Sequence, residues 1–126
     1  MSENKTIVII AENDVWQKSL KDGTYAQSTI NSTLAEVGFI HCSFPNQTME
    51  ILKRRFTDGK NLLLLLIDSE KVHAAIKYEG ALSGREGTFP HIYGHLNVEA
   101  VKETIQLEKN KENQFITPTA LQKYYL

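Results

Sequence analysis

The sequence has little of what identifies a secreted or membrane protein. It contains one cysteine, Cys42, so no intramolecular disulfide can form, which fits a reducing compartment. The apolar run at residues 62–67 is far shorter than the ~20 residues that a membrane-spanning helix needs. The apolar stretch at residues 7–11 is too short for the core of a signal peptide. We therefore expect a cytoplasmic protein without membrane contact.

The sequence also lacks an excess of charge of one sign. Fourteen Lys and Arg residues against fifteen Asp and Glu residues give a formal net charge of -1. Because nucleic-acid binding relies on concentrated positive charge, and no basic run exceeds residues 53–55, we expect no nucleic-acid partner. The length predicts a single domain over residues 1–126. Its core is expected over about residues 6–107, with the tail of residues 108–126 packing on the body.

Periodicity and turn residues predict an α+β fold with about five to six strands in a split or curved mixed sheet and two to three helices. Asn13 or Asp14 is expected to cap the first helix, and Asp22-Gly23 to end it. Residues 61–68 predict a central strand covered on both faces, whereas residues 98–107 mix helix and strand signals. The predicted helices cover residues 13–20, 29–37 and 47–56, and the predicted strands cover residues 6–10, 38–43, 61–68, 72–79 and a segment from residue 89.

The segment GFIHCS places a histidine and a hydroxyl group two positions apart inside an apolar run. Side chains alternate along a strand, so Phe39, His41 and Ser43 share one face. Ile40 and Cys42 then face the core, which makes Cys42 a small buried hydrophobe and not a catalytic partner of His41. A ligand-facing role for His41 and Ser43 and a purely structural role, in which they hold a neighbouring loop, are equally supported by position.

The segment FPHIYGHL behaves similarly. Pro90 forbids a helix through this segment, so Phe89, His91 and Tyr93 share one strand face. Gly94 permits a sharp turn or the close approach of a ligand. An imidazole beside a phenol can bind a ribose or a phosphate, or move a proton near neutral pH. The alternative is a packed tyrosine whose hydroxyl is bonded to a backbone carbonyl.

Metal binding is not expected in this segment. His91 and His95 have the spacing of two zinc ligands on a helix, but Pro90 and Gly94 disfavour a helix there. No cysteine pair or suitably spaced carboxylate completes a ligand set.

Three charged residues have both functional and structural interpretations. Arg55, at the end of the third predicted helix, can pair with a phosphate or carboxylate, or be a solvated charge. Glu79 ends a strand beside a glycine-rich loop and is either a catalytic or ribose-binding group or an exposed surface residue. Asp68 is expected to cap the turn that follows the leucine-rich strand.

The sequence resembles the bacterial family called domain of unknown function 952. The resemblance covers about residues 7–107. It implies a compact ADP-ribosyltransferase-like fold around a nicotinamide-dinucleotide cleft, with NAD as the candidate cofactor. It is carried by Trp16, Gly23-Thr24-Tyr25, the two histidine-containing segments, Gln47, Arg55-Phe56, Asp68 and Tyr78-Glu79.

The resemblance also implies roles for individual residues. Glu79 would hold a ribose hydroxyl and stabilise the positive charge that develops as the bond to nicotinamide breaks. Arg55 would bind the diphosphate. The candidate catalytic residues are Glu79 and His41, and the candidate ligand-binding residues are Ser43, Arg55, His91, Tyr93 and Gly94. The implied function is NAD-dependent ADP-ribosyl or phosphoribosyl transfer, although the family has no established reaction.

Two positions differ from the family pattern. Members commonly have a histidine in the first strand where this chain has Ile9, and a proline where it has His95. The first difference weakens the case for transferase chemistry but not for the fold. It favours an alternative function, a non-catalytic nucleotide-binding or ligand-binding module. A third possibility is a structural interaction protein in which both segments serve packing.

Overall fold

The structure, a computed structural model, describes residues 6–29, 32–55, 61–80 and 87–125, with only the backbone of Arg55. Short 3-10 helices lie at Ser69–Lys71 and Val98–Ala100. In chain order the other elements are β1 (Thr6–Glu12), α1 (Asn13–Asp22), β2 (Thr24–Tyr25), β3 (Gln27–Thr29), β4 (Ser32–Thr33), α2 (Leu34–Val37), β5 (Ile40–His41), α3 (Pro45–Arg55), β6 (Leu62–Asp68), β7 (Ala75–Gly80), β8 (Thr88–Tyr93), β9 (Leu96–Asn97), β10 (Val101–Gln106) and α4 (Thr119–Gln122).

Two three-stranded sheets form the body of the fold, with strand orders β1-β6-β10 and β5-β8-β7. Backbone hydrogen bonds join them, from Val8 N to Ser43 O at 2.8 Å and from Ser43 N to Val8 O at 2.9 Å. The predicted α+β class is confirmed. The predicted mixed sheet is wrong, because every strand pair in the described ranges is antiparallel.

The number of elements is also higher than predicted. The described residues form ten strands and four α-helices, against the five to six strands and two to three helices expected. Four of these strands have only two residues, and α2 and α4 have only four residues each. Such elements are too short to show a period of 2.0 or 3.6 residues in the sequence.

Strand β6 lies at the centre of the first sheet and is buried on both faces, as predicted. Its side chains alternate between two apolar layers. The layer on one face extends to the second sheet, and the layer on the other face is covered by α3 and α4. The first layer includes Ile7, Ile9, Trp16, Ile40, Leu63, Leu65, Ile67 and Ile92, and the second includes Val8, Met49, Leu52, Leu62, Leu64, Leu66 and Leu121.

The helix predicted over residues 29–37 is largely wrong. Only Leu34–Val37 is helical, and the preceding residues form the antiparallel pair β3 and β4. Thr33 starts the helix with a capping box, because its hydroxyl accepts from the backbone N–H of Glu36 while the Glu36 carboxylate accepts from the N–H of Thr33. The serine and threonine residues before this cap favour extended backbone over helix.

Other element boundaries also differ from the predictions. Neither Asn13 nor Asp14 caps α1, because β1 continues to Glu12, which takes the N-cap position without a side-chain cap. Gly23 does end α1, in a left-handed conformation with φ 85°. Helix α3 begins two residues early, at Pro45, since proline fits the first turn of a helix. No described helix is long and apolar enough to cross a membrane.

Strand β7 begins at Ala75, later than the predicted residue 72. The Asn97 side chain accounts for this, because its Oδ1 accepts from His73 N at 2.9 Å and its Nδ2 donates to Lys71 O at 2.9 Å. These bonds hold the chain before β7 away from strand pairing. The predicted loop at residues 80–87 and the predicted helix end at residue 56 lie largely outside the described residues.

The tail after β10 contacts the second apolar layer. Leu121 of α4 is fully buried in that layer, and the Tyr124 hydroxyl donates to Glu103 Oε1 at 2.8 Å. The single-domain prediction can therefore be tested at this contact.

We expect Leu121→Ala to lower the free energy of unfolding by about 2–5 kcal/mol, because it leaves a cavity in a packed layer. Urea denaturation followed by circular dichroism measures the effect. The control is Gln122→Ala, an exposed position in the same helix, which should change stability little. Equal stability of the Leu121 variant and the wild type would show that the tail is not part of the cooperative unit.

Candidate functional site

Three polar side chains from β7 and β8 meet on one face of the second sheet. The Tyr93 hydroxyl donates to Glu79 Oε1 at 2.7 Å, and His91 Nδ1 lies 2.8 Å from the same oxygen. The register places Glu79 opposite Phe89 and Lys77 opposite His91. This register makes His91 a diagonal neighbour of Glu79 on the same face, within side-chain reach. Tyr93 lies two positions further along β8, and its long side chain reaches the same carboxylate.

The Glu79 carboxylate is held in its ionised form. The hydrogen bond from Tyr93, followed by that from His91, lowers its pKa, and the charge of Lys77 acts in the same direction. Partial desolvation opposes the shift but does not reverse it. The Glu79 side chain is 41% exposed, so a ligand can reach it from solvent. The same bond raises the pKa of the Tyr93 hydroxyl, because Glu79 accepts its proton.

Aromatic rings surround the His91 imidazole. Phe39 stacks on it with ring centroids 4.2 Å apart and an interplanar angle of 22°. The His41 ring meets the His91 ring edge-on, with centroids 5.5 Å apart, and the centroids of the Phe39 and Tyr93 rings are 5.2 Å apart. Lys77 Nζ lies 4.7 Å from the Tyr93 ring centroid. The result is a polar and aromatic cluster on one sheet face, with a cation and a carboxylate at its exposed side.

Strand alternation explains why these residues meet. Ile40 pairs with Ile92, and both are fully buried on the core face of the second sheet. His41 pairs with His91 one residue further along, so both histidines lie on the opposite face. Cys42 is buried in the core as predicted, and burial raises the pKa of its thiol, which disfavours a nucleophilic role.

The structure does not place Ser43 or Arg55 in this cluster. The Ser43 residue is 3% exposed, and its hydroxyl lies 2.8 Å from Thr48 Oγ1, which in turn donates to Phe44 O. Ser43 therefore links β1 to α3 through its backbone and hydroxyl. The Arg55 side chain lies outside the described residues, so its assignment to a diphosphate stays a prediction.

Two residues of the cluster were not predicted as site residues. Phe39 was placed on the correct face but given no role, and Lys77 was not considered. Both carry a signal in the sequence, since each lies two positions from a candidate residue and so shares its strand face. Among the described residues no group of three or more histidine, cysteine, aspartate or glutamate side chains has the arrangement of a metal site.

Gly94 has a steric reason to be glycine. A Cβ atom at this position would lie 2.8 Å from the Cβ of Ala74, closer than real Cβ contacts. This contact, at the segment that leads into β7, accounts for the residue without a ligand.

Gly94→Ala should lower the free energy of unfolding by about 1–3 kcal/mol, because the backbone must shift to relieve the contact. Thermal and urea unfolding measure the change. Gly80→Ala is the matched control, since no atom lies within 4 Å of a Cβ built there. A Gly94 variant as stable as the control would exclude this steric account.

Tyr93→Phe should raise the pKa of Glu79 towards its ordinary value, because it removes the hydrogen bond that lowers this pKa most. A carboxyl group with a lowered folded-state pKa stabilises the fold above its unfolded pKa, and this stabilisation is lost as the pH falls through the folded pKa. The stability cost of Tyr93→Phe should therefore be larger at neutral than at acidic pH. Carbon-detected NMR titration of Glu79 and urea unfolding measure the two effects.

Tyr124→Phe is the control for this experiment, because it removes another tyrosine–glutamate hydrogen bond, to Glu103, at 2.8 Å. It should leave the pKa of Glu79 unchanged. An unchanged Glu79 pKa in the Tyr93 variant would show that the Tyr93–Glu79 bond is absent in solution.

Comparison with solved structures identifies relatives with the same fold. A crystal structure of protein CC0527 from Caulobacter crescentus matches with a TM-score of 0.78 and 27% identity, covering 93% of this chain and 98% of that one. A double mutant of CC0527 gives the same values. The solution NMR structure of CC0527 matches with a TM-score of 0.71 and 26% identity, covering 87% of this chain and 90% of that one.

Comparison by sequence gives the family. None of the curated proteins matches this chain. The model of the family described as Protein of unknown function (DUF952) matches residues 10–104, which include the three polar residues of the site and most of both sheets. The chain therefore belongs to the DUF952 family.

Proposed function

We propose that this chain is a cytoplasmic enzyme with a compact ADP-ribosyltransferase-like fold and a nucleotide-binding cleft at Glu79. Its reaction is NAD-dependent ADP-ribosyl or phosphoribosyl transfer. The observation that carries this proposal is the Glu79 carboxylate, which Tyr93 and His91 hold at one oxygen while the side chain remains 41% exposed. Its second oxygen, Oε2, accepts no hydrogen bond from the described residues.

An ionised carboxylate in this position suits the chemistry of a ribosyl transfer. The bond between ribose C1′ and the nicotinamide nitrogen breaks, and nicotinamide leaves with the electron pair. Positive charge then develops on the ribose ring in the transition state, where a preorganised carboxylate stabilises it. The acceptor supplies the electron pair of the new bond to C1′. With water as acceptor, the products are ADP-ribose, nicotinamide and a proton.

The neighbouring residues suit the binding of the rest of the ligand. The His91 imidazole lies beside Glu79 with His41 packed against it, and Lys77 supplies a positive charge on the same face. Tyr93 orients the carboxylate by donating to it. In this proposal Arg55 contacts the diphosphate. Ser43 would first have to break its hydrogen bond to Thr48 in order to contact a ligand.

One observation favours a second candidate function, a non-catalytic nucleotide-binding module. Ile9 is 1% exposed and lies in the apolar layer between the sheets, at the position where the family resemblance leads us to expect a histidine. An apolar residue there removes one polar contact to a dinucleotide. Such a module would be stabilised by its ligand without converting it.

Incubation with NAD should release nicotinamide, detected by chromatography, and Glu79→Gln should reduce the rate by at least about 10²-fold, because it removes the charge that stabilises the transition state. Glu112→Gln, an exposed carboxylate in the tail, is the matched control and should keep the wild-type rate. Thermal unfolding confirms that both variants are folded.

The same samples distinguish the two functions. A rise in melting temperature with NAD or ADP-ribose and no released nicotinamide would support the binding module over the enzyme. No rise with any nucleotide, together with no nicotinamide release in the presence of water, alcohols or a protein acceptor, would contradict both.

A further inference from the structure

We propose that His91 is the general base of this site and acts through its Nε2 atom. It takes the proton of a hydroxyl group, of water or of an alcohol, to which the ribosyl group is transferred. The reaction in which His91 takes part rests on the proposed function. The state of the imidazole rests only on the geometry around it.

The hydrogen bond to Glu79 determines which ring nitrogen carries the proton. An ionised carboxylate has no proton to donate, so the 2.8 Å contact between His91 Nδ1 and Glu79 Oε1 requires a proton on Nδ1. In the neutral ring Nε2 then has a free lone pair. The Tyr93 hydroxyl donates to the same carboxylate oxygen at 2.7 Å and helps to keep the carboxylate ionised.

The geometry also leaves Nε2 available. Every buried side-chain nitrogen and oxygen atom in the described ranges has a hydrogen-bond partner. No described residue bonds to His91 Nε2, so this atom is not among the fully buried ones, although the residue as a whole is only 2% exposed. Phe39 covers one face of the His91 ring, with ring centroids 4.2 Å apart, and the His41 ring packs against the His91 ring with centroids 5.5 Å apart. A group as small as a hydroxyl suits so restricted an opening.

A hydroxyl acceptor needs such a base, because it is a weak nucleophile while it holds its proton. In the proposed step the acceptor O–H bond breaks and its proton moves to His91 Nε2. The electron pair left on oxygen forms the bond to ribose C1′, and the pair of the C1′–nitrogen bond leaves with nicotinamide. The imidazolium that forms is stabilised by the Glu79 carboxylate, as in other carboxylate–histidine pairs.

The tautomer can be measured without any substrate. The chain has four histidines, so histidine-selective ¹⁵N labelling gives a simple spectrum, in which His91→Gln identifies the His91 signals. At about pH 8.5, where an ordinary imidazole is neutral, we expect His91 with the proton on Nδ1 and none on Nε2. Glu79→Ala should remove this preference. Tyr93→Phe, which keeps Glu79, should retain it.

A wild-type spectrum with the proton of His91 on Nε2 would overturn the proposal. So would a Glu79→Ala variant that remains folded and keeps the same tautomer, because the carboxylate would then not control it.

The rate of nicotinamide release in His91 variants tests the catalytic step. With water or an alcohol as acceptor, His91→Ala should release nicotinamide about 10²–10⁴-fold more slowly than the wild type, and added imidazole should restore part of the rate. His91→Gln, which can still donate to Glu79, serves if the alanine variant does not fold, and should be slow without rescue. Wild-type rates in either folded variant would overturn the role of His91.

Failure of this proposal can be told from failure of the proposed function. If the wild type releases no nicotinamide, the proposed reaction and the part of His91 in it are wrong, whereas a proton on Nδ1 still supports an imidazole whose Nε2 can accept a proton. If nicotinamide is released but the proton lies on Nε2, the reaction stands and His91 is not its base.

Discussion

The two hydrogen bonds that Glu79 accepts at one carboxylate oxygen join β7 to β8 through side chains, and they depend on the register of these strands. A shift of one residue would turn Glu79 to the core face, because side chains alternate along a strand. The register is held from the other side of the sheet, where Ile92 is fully buried between Ile40 and Ile76. Packing on the apolar face of the sheet therefore fixes the strand register that positions Glu79, His91 and Tyr93 on the polar face.

Side chains of the first sheet are also divided between its two faces. Strand β6 gives one set of side chains to the layer shared with the second sheet and the other set to α3, α4 and the tail. The backbone bonds between Val8 and Ser43 connect the two sheets directly. The position of Ser43, with its hydroxyl bonded to Thr48, shows that a polar residue in an apolar segment can serve this connection and not the site.

The sequence predicted those parts of the fold that have a long and simple pattern. Strand β6 and the first helix were predicted close to their observed positions because several turns or alternations carry the signal. Strand β4 and the end of β3 were mistaken for part of a helix over residues 29–37, since apolar spacing over a few residues does not distinguish strand from helix. Alternation correctly put Phe39 and His41 on one face of their strand, and His91 and Tyr93 on one face of theirs. It could not predict that Lys77 and Glu79 join them, because the pairing of β7 with β8 is a contact between separate parts of the chain.

The central claim is that the face bearing Glu79, His91 and Tyr93 is a nucleotide-binding site. Titration of the ¹⁵N-labelled protein with ADP-ribose, followed by NMR chemical shifts, tests this claim most directly. We expect saturable shifts concentrated on β7, β8 and β5, with the largest changes at Glu79, His91 and Tyr93 and little change in α4. Saturable shifts confined to other parts of the chain, or no shifts at millimolar ligand, would contradict the account.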